Sequence, residues 1–130
     1  AMSYDILVDE QNRIINITWN GTIDLSTLKR HMLSYNYHMT HTDHYVLYDF
    51  RNVSDIVLSK DDISQAASLS RQVFDPLLKD IKVALLTGDS ELEELTELFI
   101  ALRKEQSVTS PDYGFYKDFD QAMSWLLNSE

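Results

Sequence analysis

Three histidines and an aspartate crowd one short stretch: His38, His41, Asp43 and His44. Imidazole is a good ligand for zinc or nickel, so metal chemistry is the first possibility this chain raises. The spacing argues against it. Residues three apart walk around a helix, and the outer two of such a set stand about 9 Å apart along its axis. His31 is seven residues further back, roughly 10 Å away on the same helix. Only a sharp turn could converge them, and the simpler reading is a group of solvated histidines near a helix end, with no metal and no cofactor.

Two strand ends are the next candidates. Asp49 and Arg51 follow the apolar run Tyr45-Val46-Leu47-Tyr48, and Thr87, Gly88 and Asp89 follow Ile81 to Leu86. In open α/β sheets, ligands bind outside the carboxyl ends of the strands. Helices starting near Ser59 and Ser90 would turn their free N–H groups toward the same place, which suits an anion. Asp49, Arg51, Ser59, Thr87, Gly88 and Asp89 are therefore the candidate ligand or partner residues. The plainer alternative pairs Asp49 with Arg51, or has them cap loops, and leaves Gly88 only to permit a turn. Gly88 stands in no glycine-rich repeat and no Lys-Ser or Lys-Thr follows it, so it makes no phosphate loop. No Gly-x-Ser-x-Gly elbow is present. Glu91, Glu93, Glu94 and Glu97 read as a solvated helix face, with docking of a basic partner as the other reading. Met32, Tyr35, Met39 and Trp125 could line an apolar cavity, although aromatic and Met residues at helical spacing more often form plain core.

The elements that must position these groups follow from periodicity. Tyr45 to Val53 is the strongest strand signal. It is rich in β-branched and aromatic residues and continuous enough to be covered on both faces, so it is placed at the centre of the sheet, surfacing at Asp49, Arg51 and Asn52. Residues 4–8 and 13–19 alternate as an antiparallel hairpin closed by Asn20-Gly21. Asp24 is an N-cap for a helix to about Met39, with Leu25, Leu28, Met32, Tyr35 and Met39 on one face. Ser59-Lys60-Asp61-Asp62 resembles a capping box. The helix behind it carries Ile63, Ala66, Ala67, Ser70, Val73 and Phe74, its small residues allow close approach to the sheet, and Pro76 should end it. Residues 81–86 form a second buried strand. A third helix carries Leu92, Leu95, Leu98, Phe99 and Leu102, and Ser107 to Gly114 is a loop. Tyr113 to Tyr116 is a short strand, and Asp118 to Asn128 is a last helix that turns Ala122, Trp125 and Leu126 inward. The order is ββαβαβαβα. It predicts an α/β fold in which a mixed sheet carries packed helices, with right-handed crossovers between parallel strands.

At 130 residues, 44% apolar and 25% charged, the chain fits one globular domain over residues 2–130. Without cysteine, disulfides, thiolate metal sites and thiol catalysis are excluded. A formal charge of −10 disfavours nucleic acid and anionic membrane. No run approaches the length of a membrane helix and no signal peptide is visible, so the expectation is a cytoplasmic protein without membrane insertion.

Several strings now align with a known pattern. The hairpin ending Trp19-Asn20-Gly21, the strand Val46-Leu47-Tyr48-Asp49, the strand Lys82-Val83-Ala84-Leu85-Leu86 and above all Phe115-Tyr116-Lys117-Asp118-Phe119-Asp120-Gln121-Ala122-Met123-Ser124-Trp125-Leu126 make the chain resemble the SpoIIAA-like group of STAS domains, a bacterial group related in fold to anti-sigma-factor antagonists. The resemblance spans nearly the whole chain and implies a non-enzymatic regulatory or binding domain. Its expected partner is another protein, which could be a second copy in a homodimer, or a small ligand. The alternative is a carrier holding an apolar or lipid-like molecule between helices and sheet. Regulatory STAS domains carry an Asp-Ser-Ser-Gly-like turn with a phosphorylated serine. The corresponding stretch here is Val57-Leu58-Ser59-Lys60, without the aspartate and glycine, so Ser59 is expected to be a helix cap and not a phosphosite.

Overall fold

The computed structural model describes residues 3–38, 44–74, 81–106 and 111–128. Met39, His41, Asp43, Pro76 and residues 107–110 lie outside the described residues, as do the side chains of Tyr35, His38 and Phe74. The elements are β1 (Ser3–Asp9), β2 (Ile14–Asp24), α1 (Leu25–His38), β3 (Tyr45–Val57), α2 (Lys60–Phe74), β4 (Lys82–Leu86), α3 (Ser90–Gln106), β5 (Asp112–Tyr116) and α4 (Phe119–Leu127). They form the expected ββαβαβαβα order.

The five strands lie in the sheet as β1-β2-β3-β4-β5. β1 and β2 pair antiparallel, and every later neighbour is parallel. β3 is thus central. Each crossover moves one strand further in the same direction, and right-handed connections then put every crossover helix on one face. α1, α2 and α3 pack side by side there, over Ile15, Ile17, Trp19, Val46, Val83 and Leu85. Among the described residues no strand follows α4, which folds back under β4 and β5 and buries Ala122 and Leu126 against Ile14, Leu47, Ala84 and Leu86. Alternation along each strand feeds the two cores in turn.

Two strands run longer than the periodicity indicates. Asn20-Gly21 does not close the hairpin, and Asp49 and Arg51 do not end the central strand. Both strands continue through register shifts at Thr18/Asn20 and Gly21/Thr22, where β3 takes the extra residues, and they finish together at Asp24 and Val57. Gly21 sits at φ 85°, a conformation that costs glycine little and that bulged strands use. The extension carries both chains beyond β4 and sets the starts of α1 and α2 side by side.

The helix starts are capped as their residue types require. Asp24 Oδ1 accepts from Thr27 N–H at 2.8 Å. Ser59 Oγ accepts from Asp62 N–H at 3.1 Å while Asp62 Oδ2 accepts from Ser59 N–H at 3.0 Å, a complete capping box. Asp89 Oδ1 caps α3 through Glu91 and Leu92, and Asp118 caps α4 through Gln121.

Trp125 departs from expectation. It is half-buried, not enclosed. Its ring lies on the backbone of Gly114, where a Cβ would stand 2.9 Å from Trp125 Cζ3. Lys82 Nζ lies 5.1 Å from the Trp125 ring centroid and donates to the carbonyls of Trp125 at 2.9 Å and Asn128 at 2.6 Å. A cation thus ties down the end of α4 where the helix dipole is negative.

Candidate functional site

The sequence-derived candidates fall into separate groups. Asp49 and Arg51 point to the α4 face and are paired. Arg51 Nε and Nη2 donate to Asp49 Oδ1 and Oδ2 at 3.0 and 2.9 Å, and Arg51 N–H also donates to Oδ1. Burial pushes the Asp49 carboxyl up, but the Arg51 hydrogen bonds and charge outweigh it and hold the group below the usual carboxylate range. The same bonds raise Arg51, whose guanidinium lies 5.6 Å from the Phe119 ring centroid. Thr87 is buried, takes the Tyr116 carbonyl through its N–H, and accepts from Asp89 N–H at 3.2 Å. Asp89 is engaged as the α3 cap. Gly88 has no positive φ, and a Cβ there would meet nothing within 4 Å; neither a turn nor a close approach demands glycine at this position. Ser59 is held in its capping box. These groups are chiefly occupied with one another.

The two histidines with described side chains, His31 and His44, lie apart. His44 is buried, with Nε2 3.1 Å from Glu10 Oε1. His31 lies inside the domain at 1% exposure. Its Nε2 is 3.1 Å from the Tyr48 hydroxyl. Burial lowers its pKa to about 4, so the ring is neutral at neutral pH. Among the described residues no cluster of His, Asp or Glu is arranged to hold a metal ion.

His31 borders a feature that joins all three crossover helices to the sheet. A cavity of about 90 Å³ lies between them, with almost wholly apolar walls. Trp19, Val46, Tyr48, Phe50, Val83 and Leu85 form its sheet side. α1 contributes Leu28, His31 and Met32; α2 contributes Ile63, Ala66 and Ser70; α3 contributes Leu92, Leu95, Thr96 and Phe99. The cavity exists because of side-chain size. Ala66 and Ser70, one helical turn apart on the inward face of α2, are buried yet too short to fill the space, so they line a cavity where close approach to the sheet was expected. Met32 is part of the lining as expected. Trp125 belongs to the opposite core and has no part in it.

Among the lining residues that carry polarity are His31, Tyr48 and Trp19, which sequence reasoning does not single out for it. His31 falls three residues after Leu28 and four before Tyr35, on the apolar stripe of α1, and that register was the available signal. Tyr48 and Trp19 show in sequence only as strand residues. Tyr48 is brought to His31 by the parallel pairing of β2 with β3, and Trp19 is wholly buried beneath His31 at a ring-centroid distance of 5.1 Å. No local pattern announces such a contact.

Comparison with known proteins supplies a fold. An uncharacterised protein of the DUF3478 family from Shewanella loihica PV-4, described as having a SpoIIAA-like fold, superposes with a TM-score of 0.53 over 97% of this chain and 94% of its own, at 16% identity. The chain has a SpoIIAA-like fold. No protein-family model matches the chain, and no curated protein matches it either. The likeness covers the architecture that the resemblance implied, a mixed five-stranded sheet with four helices. No described helix is long and apolar enough to cross a membrane.

Proposed function

We propose that this SpoIIAA-like domain is a non-enzymatic binding domain whose ligand is a small, largely apolar molecule held between α1, α2, α3 and the sheet. The observation that carries the reading is the cavity itself. Protein interiors are packed to crystal-like density, with few voids larger than a water molecule, and an apolar cavity of this order can take a small hydrophobic guest. A closed core at this place would instead have favoured a pure interaction module. The candidate residues at the strand ends remain a second region at which a partner could act on the domain.

A second reading, docking of a protein partner, is favoured by the edge strand β1. There Leu7 is 69% and Ile6 44% exposed, and an unpaired edge can take a further strand. Native mass spectrometry of freshly purified protein distinguishes the two. The ligand reading expects a monomer carrying a small organic mass that is lost on denaturation or supplied by added benzene. A dimer that takes up no small molecule would refute it in favour of docking.

A further inference from the structure

The rings at the sheet side of the cavity contain a donor for which the described residues offer no acceptor. Trp19 is 0% exposed, with the rings of Tyr4, His31 and Phe50 at 5.1, 5.1 and 6.1 Å. Its only polar atom, Nε1, is a donor. That atom is buried, and among the described residues no group accepts from it. Buried indole N–H groups ordinarily find an acceptor, and the faces of neighbouring rings offer only the weaker N–H···π contact. A phenylalanine would supply apolar surface here without bringing a donor into the core. Trp19 is also a wall of the cavity, among residues that include no Lys, Arg, Asp or Glu. A carboxylate or phosphate entering this space would meet no charged lining residue. The buried Arg103 is not in the lining, and its Nε donates to the hydroxyl of the lining Tyr113 at 3.3 Å. Burying a charge without a direct partner is strongly unfavourable. His31 does not change this, because burial keeps it neutral.

We infer that the ligand is an uncharged small molecule, apolar over most of its surface, with a carbonyl-type oxygen that accepts a hydrogen bond from Trp19 Nε1. This rests on the reading of the cavity as a binding site and adds to it a class of ligand. Cyclopentanone and methylenecyclopentane test it, since they share ring and shape and differ in C=O against C=CH2. Both are titrated into the full chain with ¹⁵N-labelled tryptophan.

The ketone is expected to move the Trp19 indole proton downfield. Methylenecyclopentane should bind without that displacement, and Trp125, in the core on the other side of the sheet, should report neither. In Trp19→Phe the ratio of ketone to alkene affinity should fall about two- to tenfold, the range for one net hydrogen bond. Taking the ratio within each protein offsets the change in cavity size. Ketone binding without a Trp19 displacement, or a ratio unchanged in the variant, would overturn the inference and leave the cavity reading standing. Binding of neither probe would overturn both. If Trp19→Phe does not fold, the indole displacement in the unaltered chain decides alone.

Discussion

At the scale of single residues, His31 links burial to pH. Its folded pKa of about 4 lies below the ordinary value of 6.5, and desolvation is the cause. The unfolded chain therefore binds a proton first as pH falls. The stability associated with a neutral His31 is complete above about pH 6.5, declines through the interval down to about 4, and declines no further below it. The difference corresponds to about 3 kcal/mol. Chemical denaturation between pH 7 and 4 should show this loss, and His31→Phe should flatten the curve across the same interval. An unchanged slope in the variant would assign the acid sensitivity elsewhere. Ser59 makes the second residue-scale prediction. With its hydroxyl in a capping box, Ser59→Ala should cost about 0.5–2 kcal/mol, and Ser59→Asp should be nearly neutral because Asp is itself a good cap. Phosphate there would stand beside Asp61 and Asp62 in the first turn of α2. Phosphopeptide mapping of protein from its native cells is expected to find Ser59 unmodified, and stoichiometric phosphate would contradict this.

At the scale of elements, α4 rests on a contact made by a missing side chain. Gly114 has no unusual φ, yet a Cβ would meet Trp125 and Tyr116 at 2.9 Å, and both are rings with little freedom to yield. Gly114→Ala should therefore displace α4 and cost about 1–3 kcal/mol, read as lost stability together with a red shift of Trp125 fluorescence. Trp125→Ala should cost about 2–3 kcal/mol, less than the 3–5 typical of a fully enclosed large aromatic. A cost under about 1 kcal/mol would mean the helix is not docked by this ring. What could be read from the sequence follows the same logic. Alternation at Ile15, Ile17 and Trp19, the stripe from Leu25 to Met32 and the caps at Asp24 and Ser59 are local signals, and they specify element type and order. The run of β3 beyond Val53 to Val57 is not legible, because residues such as Ser54 and Asp55 carry no strand pattern. They are held by pairing with β2, which is a long-range contact. Ala66 and Ser70 look the same in sequence whether they permit close packing or leave a void. The cavity, and the meeting of His31, Tyr48 and Trp19 within it, arise only when α1, α2 and the sheet are assembled.

At the scale of the whole molecule, the one-directional strand order places three helices on one face and a single short helix on the other. The three-helix layer spans the sheet and borders the cavity, while α4 makes a compact core beneath β4 and β5. Filling the space should separate folding from binding. Ala66→Leu adds volume inside the cavity, so the variant should keep its fold at a cost below the 1–3 kcal/mol usual for overpacking a full core while losing uptake of a small apolar probe. Calorimetric titration with benzene and thermal denaturation would read the two effects separately. The most direct measurement of the central claim is a methyl-resolved NMR titration of the unaltered chain with benzene. The prediction is saturable displacement of the Met32, Ile63, Val83 and Leu85 methyl signals, which line the cavity, with the exposed Leu7 and Leu33 methyls unmoved. Displacement confined to Leu7 and Leu33, or none that saturates, would contradict it.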